Sequence, residues 1–340
     1  MKTAIVILNW NGKRYLEKFL PGVIKTSRGV ADVVVADNDS ADGSVGFLKN
    51  NFPDVRVIQN PENGGFSKGY NQALQQIEAE YYILLNSDIE VADGWIEPVI
   101  ELMETDNQIA ACQPKILSYH EKDKFEYAGA AGGFIDKYGY PFCRGRVFQS
   151  IEKDQGQYND NIEIFWATGA CMFIRSSYFH EIGGFDDDFF AHMEEIDICW
   201  RLKHKGYKIM YCGQSKVYHI GGGSLDKSSA RKTYFNMRNN STMMYKNLPR
   251  KELYTVFYFR FILDFAAALK FLIDGGIKHF VAVLRAHFGF YFSYKKNRDK
   301  RNQINHQYVS QVYHGNIAYD HFLRKIKKFS FSQLNPNRFS

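Results

Sequence analysis

The chain is poor in cysteine and poorer still in cysteine pattern. The five it has, Cys112, Cys143, Cys171, Cys199 and Cys212, are odd in number, widely spaced and without a CxxC pair, so neither a disulfide framework nor a zinc site is indicated. A reducing compartment is the expectation. Glycine cradles for phosphate are missing too: no GxGxxG follows the first apolar run, and neither GxxxxGKS nor GxxxxGKT occurs anywhere. A bound phosphate would need its charge neutralised by other means. The apolar run Ala4 to Leu8 gives way at once to Asn9, Trp10 and Asn11, too brief for a signal-peptide core, and a cytoplasmic location is expected. The apolar stretch Leu253 to Ile273 contains Arg260, Asp264 and Lys270, which disfavours a spanning helix.

What is present is a large chain with an uneven charge. With 340 residues, 45% of them hydrophobic, and only 8 prolines, it can bury a substantial core and exceeds one ordinary compact domain. Residues 230–340 hold 20 Lys and Arg against 5 Asp and Glu, leaving 23 against 32 in the remainder. An acidic body with a basic tail points to a metal or polar-ligand site in front and a polyanionic surface behind, either nucleic acid or anionic lipid.

Ala4 to Leu8, Asp32 to Ala36, Val55 to Ile58 and Tyr81 to Leu85 are short aliphatic runs bounded by Asn, Asp, Gly or Pro, as buried parallel strands should be. Helix-compatible stretches, Tyr15 to Lys25 and Ser67 to Glu80, lie between them. The alternation predicts an α/β chain with helices on both faces of a largely parallel sheet. Residues Ser118 to Gln157 show no period and read as a long, partly mobile excursion. Order resumes with a strand over Phe165 to Ile174, a helix over Glu194 to Lys205, and two short strands at Lys208 to Cys212 and Lys216 to His219. A catalytic unit over 1–228 and a basic, aromatic, helical region over 229–340 are expected.

Polar residues cluster where these strands end, and ligands of open α/β sheets bind beyond the carboxyl ends of strands. Asn86, Ser87 and Asp88 follow the run Tyr81 to Leu85, where Asp88 could share a divalent cation with a diphosphate; alternatively, the group merely begins a turn. Asp37 to Ser40 fits either an Asx turn or contact with a nucleotide's base or ribose. In Asn63 to Asn71, the glycines permit close backbone approach and a helix start could face a phosphate or sugar. Asn63, Gly65 and Asn71 are therefore candidates for ligand contact, against the alternative of a plain loop. Glu194, Glu195 and Asp197 open a helix, either complementing its dipole or supplying a base whose pKa is raised by crowding. His219 ends a strand before a glycine run, as a metal or phosphate ligand or as a structural residue.

In order and spacing, the segments VILNWNG, VADNDSADGS, NPENGGFSKGYNQAL, LLNSDIE, WATGACMFIR, GGFDDDFF, MEEIDICWRL and VYHIGGGS resemble those of the family 2 glycosyltransferases, especially rhamnosyltransferase-like members that assemble bacterial surface polysaccharides. The resemblance spans about Thr3 to Gly223. It implies a GT-A domain, a divalent cation (Mg²⁺ or Mn²⁺), a nucleotide-diphosphate sugar donor, and a glycan or lipid-linked glycan acceptor. Carried over by position, it gives Asn9, Asn11, Asp37 and Asp39 to the nucleoside, Asp88 to the metal, and His219 to the metal or diphosphate. Asn86 stands where the family's DXD-like motif has its first acid. Gly169 and Ala170 fall on the loop lining the pocket. The base falls on Glu195, where Asp is usual, with Glu194 as fallback. The QxxRW motif of processive synthases is absent, so a single-addition enzyme is implied, and the mechanism expected is an inverting single displacement with Glu195 as base. The rival readings are an idle sugar-nucleotide-binding module and a nucleotidyltransferase.

The tail offers its own pattern. At 100° per residue, Arg260, Asp264, Lys270 and Asp274 share one arc of a helix, leaving Phe257, Phe259, Phe261, Ile262, Phe265 and Leu269 on the rest. Either this aromatic surface meets an anionic membrane at the inner face of the plasma membrane, helped by Lys295, Lys296, Arg298, Lys300 and Arg301 and by Arg324, Lys325, Lys327 and Lys328, or it packs on the catalytic unit or a second subunit. Nucleic acid is not an expected partner, because the basic residues accompany apolar helices rather than a recognition module.

Overall fold

The computed structural model describes residues 2–221, 229–274, 276–329, 334, 338 and 339. Of the motif ending in HIGGGS, Gly222, Gly223 and Ser224 lie outside the described residues, as does the expected boundary at 228.

The main sheet runs, in spatial order, Asn161–Ile164, Lys208–His219, Ile109–Ser118, Cys171–Arg175, Tyr81–Asn86, Thr3–Asn9, Asp32–Asp37 and Arg56–Gln59, with Ile89–Val91 beside Lys208–His219. Thr3–Asn9 lies parallel to both Asp32–Asp37 and Tyr81–Asn86. Its residues alternate between two cores: Ala4 and Val6 join the cluster containing Val34, Tyr70 and Tyr82, whereas Ile5 and Ile7 join that of Leu16, Leu20 and Val35. A strand buried on both faces must be apolar on both, which explains the unbroken aliphatic run. The helix Lys13–Ser27 covers one face through Leu16, Phe19, Leu20 and Val23, and the helix Gly65–Leu74 covers the other through Tyr70, Ala73 and Leu74.

Three elements differ from expectation. Phe165–Ala170 is not strand: Trp166 makes only an isolated bridge with Gly133, Thr168 N–H donates to Gln113 Oε1 at 2.9 Å, and the strand begins at Cys171. Lys208–His219 is one strand with a register shift between Cys212 and Lys216 rather than two. Residues 118–157 form most of a second sheet, Gly133–Asp136, Pro141–Cys143, Arg146–Val147 and Ser150–Ile151, completed by Val312–Tyr313 from the tail. Phe125, Phe134 and Phe142 of this segment are buried in the first core, so apolar burial supplies the order that a periodic pattern did not announce.

Helices Ala230–Asn247, Arg250–Asp274, Ile277–Phe292, Tyr294–Asn302 and Ile317–Phe322 follow. The first packs on the helix Glu194–His204, and Met243, Met244, Tyr313 and Ile317 share a core with Trp166 and Phe134. Lys246 joins Asp186 and Asp197, Lys300 joins Asp186 and Asp188, Lys296 joins Asp188, and Arg301 donates to Tyr245 O. Part of the basic cluster thus ties the tail down. Burial opposes ionisation of Asp186, yet Lys246 and Lys300 hold its carboxyl well below the usual range.

Of the aromatic arc of Arg250–Asp274, Phe257 packs on Tyr245 and Phe290 and Phe259 edges the Tyr138 ring, whereas Phe261, Ile262, Phe265 and Leu269 are exposed. Arg260 and Asp264 point inward, 4% and 1% exposed. The Arg260 guanidinium donates to Asp264 Oδ1 at 2.7 Å and to Tyr138 O at 2.8 Å, and it lies over the Tyr140 ring. The carbonyl and ring come from the second sheet, which makes the pair affordable in the interior. Among the described residues, no helix is long and apolar enough to cross a membrane.

Candidate active site

Ladder register puts three predicted residues at one edge of the main sheet: Asn9 sits opposite Asp37, and Asn86 opposite Leu8. Asn9 is fully buried and donates through Nδ2 to Asp37 Oδ2 at 2.8 Å, while Asp37 Oδ1 accepts Ser40 N–H at 2.9 Å. Asn9 therefore orients Asp37 from behind. Asn11 and Asp39 are exposed and both take left-handed backbone, with φ 49° and 62°. Asn11 N–H donates to Ser40 Oγ and its Oδ1 accepts Ala41 N–H, stitching the two strand-end loops together.

The neighbouring loop is built on amides. Asn63 Oδ1 accepts Gly65 N–H at 3.0 Å and the Asn38 amide at 3.2 Å. Gly65, at φ 76°, lies against Phe190, whose carbonyl would be 2.2 Å from any Cβ there, so only glycine fits. Phe66 N–H donates to Phe190 O at 2.8 Å, bringing the start of the helix Gly65–Leu74 against the loop that leads to Glu194. Asn71 faces elsewhere, bonding Phe185 O, Asp187 Oδ1 and Phe185 N–H, and so holds the loop that carries Asp186 to Asp188.

Asn86 N–H donates to Ala170 O at 2.9 Å, which joins the strand-end acidic group to the Gly169–Ala170 loop. Ser87 and Asp88 make the turn into Ile89–Val91. Pairing of Ile89 with His219 then sets His219 Nε2 3.2 Å from Asp88 Oδ1, with both side chains buried. On the far side of the ring, Nδ1 lies 3.4 Å from Glu126 Oε2, an ion-pair distance rather than a close hydrogen bond. Burial works against charge on His219, but the two carboxylates outweigh it and push its pKa up to about 10. Burial likewise opposes ionisation of Asp88, and the facing imidazole holds its carboxyl below its ordinary value.

No group of three or more His, Cys, Asp or Glu residues able to hold a metal occurs among the described residues. Asp88 and His219 would nevertheless fit a divalent cation that displaces the imidazole proton and takes its other ligands from phosphate and water. A carboxylate and an imidazole nitrogen face each other, and Glu126 backs the ring as second partners of metal-binding histidines do.

The helix Glu194–His204 is reached through two consecutive left-handed residues, His192 and Met193, with φ 71° and 74°. Such backbone persists only when its surroundings hold it. Asn239 does so, donating to Ala191 O and His192 O at 2.8 Å each, and Arg238 donates to Asp188 O at 2.6 Å. Glu194 is 5% exposed, whereas Glu195 is partly open. Burial first, then Glu195, raises the Glu194 pKa well above its ordinary value; burial pushes Glu195 up to about 7. The Oε2 atom of each glutamate is buried with no hydrogen-bond partner among the described residues. Cys199, one turn beyond Glu195 on the same helix face, accepts Ala167 N–H at Sγ. Glu195 thus lies on the side of its helix that meets the Trp166–Ala170 loop. Glu126, Arg238 and Asn239 were not among the predicted residues; two come from the tail and one from the segment without a period, and no motif marked them.

A family model described as glycosyl transferase family 2 matches residues 4–183. An N-acetylglucosaminyl-diphospho-decaprenol L-rhamnosyltransferase of Mycobacterium tuberculosis is 24% identical over 244 residues, 66% of this chain and 78% of that protein. The rhamnosyltransferase WbbL of Escherichia coli is 26% identical over 196 residues, 56% of this chain and 72% of that one. Among solved structures, GalNAc-T7 with UDP, GalNAc and Mn²⁺ superposes with a TM-score of 0.59 at 17% identity, covering 89% of this chain and 54% of that one. A Pyrobaculum calidifontis mannosyltransferase with GDP-Man and Mn²⁺ does so at 0.52 and 12% identity, covering 88% and 83%. The shared GT-A architecture, together with a family match over more than half of the residues, identifies this chain as a glycosyltransferase belonging to glycosyl transferase family 2.

Proposed function

We propose that this enzyme is an inverting, metal-dependent, non-processive glycosyltransferase, moving one sugar from a nucleotide-diphosphate donor to a hydroxyl of a glycan or lipid-linked glycan in bacterial surface polysaccharide or glycolipid assembly. One observation carries the reading: a buried Asp88–His219 pair at a strand end and a partly open glutamate of raised pKa on a helix tied to the same strand-end loops. Two structurally similar enzymes contain Mn²⁺ and a nucleotide or nucleotide sugar, and the mycobacterial relative is named for a decaprenol-linked acceptor; both support it.

In this reading, residues 1–228 form the catalytic domain. Asp37, oriented by Asn9, and the exposed Asn11 and Asp39 contact the nucleoside. The backbone around Asn63 and Gly65 receives the donor, with Asn86, Ser87, Gly169 and Ala170 lining its path. Asp88 and His219 would hold Mg²⁺ or Mn²⁺, which when bound neutralises charge developing on the departing diphosphate. Glu195 takes the acceptor proton at its carboxylate as the hydroxyl attacks the anomeric carbon from the opposite side. Glu194, more deeply buried, keeps its proton when Glu195 ionises, which leaves Glu195 as the carboxylate of the two. The anomeric configuration of the product, read by NMR from a donor of known configuration, tests the mechanism. Inversion is expected; retention would remove Glu195 from the role of base.

A further inference from the structure

The helices Arg250–Asp274 and Ile277–Phe292 pack on one another as a hairpin, closed by the stacked rings of Phe257 and Phe290 and by Asp264 with His287. Its inner side carries the polar pair Arg260 and Asp264, and its outer side is apolar. On the first helix, Tyr254, Tyr258, Phe261, Phe265, Leu269 and Leu272 recur every three or four positions and are all exposed. On the second, Ile277, Val281, Leu284, Phe288 and Tyr291 repeat the pattern. Of the 24 large exposed hydrophobic residues described in the chain, 15 belong to these two helices, which makes the hairpin and not the catalytic body the apolar surface of the molecule. A soluble monomer rarely leaves so concentrated an apolar face in water.

We infer that this outer face is inserted into the interfacial layer of an anionic lipid bilayer, lying in the surface rather than crossing it. The inference deepens the proposed function at one point, the lipid-linked acceptor, and rests on it only there. Charge selects the partner. Lys251, Lys270, Lys278 and Arg285 are exposed on the hairpin against Glu252 and Asp274, and Asp274 is already paired with Lys270. Lys295 and Arg298 continue the basic rim on the next helix. A second copy of the chain meeting this face would set like charges against each other, whereas acidic headgroups answer them. A strong apolar face beneath a basic rim is the arrangement of helices that lie in the interface.

The hairpin is also joined to the catalytic residues. Ile277–Phe292 packs along Ala230–Asn247, with Thr233 bonded to His279. Arg238 and Asn239 of that same helix hold the loop before Glu194. Docking therefore bears on the element that carries the base, as a lipid-borne acceptor would require.

The test is flotation of the full chain with vesicles of phosphatidylcholine alone and of phosphatidylcholine with phosphatidylglycerol, at low and high salt. The wild type should float with the mixed vesicles and keep a substantial bound fraction at high salt, because insertion is apolar. Replacing three exposed residues, Phe261→Ser, Phe265→Ser and Phe288→Ser, should lower partitioning by at least about tenfold and leave donor turnover with a water-soluble acceptor unchanged. Ile273→Asp with Ile277→Asp, at the hairpin tip, serves if the first variant does not fold. A wild type that stays at the bottom at low salt, or variants that float as well as it does, would overturn the inference. A dimer in sedimentation velocity that the substitutions dissolve, without flotation, would assign the face to a second copy instead. Flotation without any donor turnover would leave the docking intact and refute the reading of the site.

Discussion

Two polar clusters lie close to the candidate site, and they are built differently. At the edge of the main sheet, Asn9, Asp37 and Ser40 bond one another, as do Asn63 and Gly65, Asp88 and His219 are paired, and Asn9 Oδ1 is buried with no hydrogen-bond partner among the described residues. At the start of the helix Glu194–His204, two neighbouring carboxyl groups each keep one buried oxygen with no partner, and burial raises the pKa of both. In the proposed function the first arrangement would act as a preformed receptor, its bonds already made before a ligand arrives. The second is held against its own electrostatics by the surrounding packing. In the proposed function it would give up stability in the resting enzyme for a base that is strong when needed.

The largest expected effect breaks the receptor side. Asp88→Ala should cost about a thousandfold in donor turnover, the upper scale for removing one stabilising group from developing charge, with cation and nucleotide affinity falling together. Turnover assayed across a Mn²⁺ titration checks this, and near-normal activity would remove Asp88 from the site.

Next comes the base. Glu195→Gln should lose about a hundredfold or more in transfer rate while donor affinity stays the same, and Glu194→Gln should be milder. As the proposed base, Glu195 would act only when ionised, and burial pushes its pKa up to about 7, so the wild-type rate should climb as pH rises through about 7 and level off above. A pH–rate profile of each variant decides the assignment; a sharper loss in Glu194→Gln would reverse it.

A smaller effect sharpens the link between His219 and its backing carboxylate. Glu126→Gln should weaken cation binding by about tenfold, the lower end for partners of ligating histidines, with the nucleotide-free fold unchanged. Binding of Mn²⁺ followed by its paramagnetic signal measures it.

The smallest effect separates the two sides by stability. The folded state holds the Glu194 proton more tightly than the unfolded chain, so stability is fullest below the unfolded value of 4.5 and declines as pH rises toward the raised folded pKa. Glu194→Gln removes that decline. Its melting temperature should exceed that of the wild type at pH 8 by a few degrees, and the difference should vanish toward pH 4. Calorimetry at both values would show it.

How far the sequence could be read follows the same division. Strand ends are local: an apolar run stopping at Asn9, Asp37 or Asn86 marks where side chains gather, and register does the rest. Which atoms then bond is not local. The Asn71 amide reached the loop at Phe185 to Asp187, more than a hundred residues away in sequence, and no pattern in Asn63 to Asn71 announces that partner. Glu126 lies in a segment whose order comes from aromatic burial rather than from period. The tail shows the limit most clearly. A helical wheel gives the angles between Arg260, Asp264 and Phe265 but not which arc turns inward; that was settled by Tyr138 O and the Tyr140 ring, both supplied by a segment the sequence left unassigned.

The proposed function depends most on a receptor at the sheet edge that would bind diphosphate through a cation on Asp88. Calorimetric titration of a panel of nucleoside diphosphates, with and without Mn²⁺, into the wild type, Asp88→Ala and Glu195→Gln tests it directly. At least one nucleotide should bind the wild type only when the cation is present, bind Glu195→Gln equally well, and fail to bind Asp88→Ala. Binding that ignores the cation, or that survives intact in Asp88→Ala, would contradict the account.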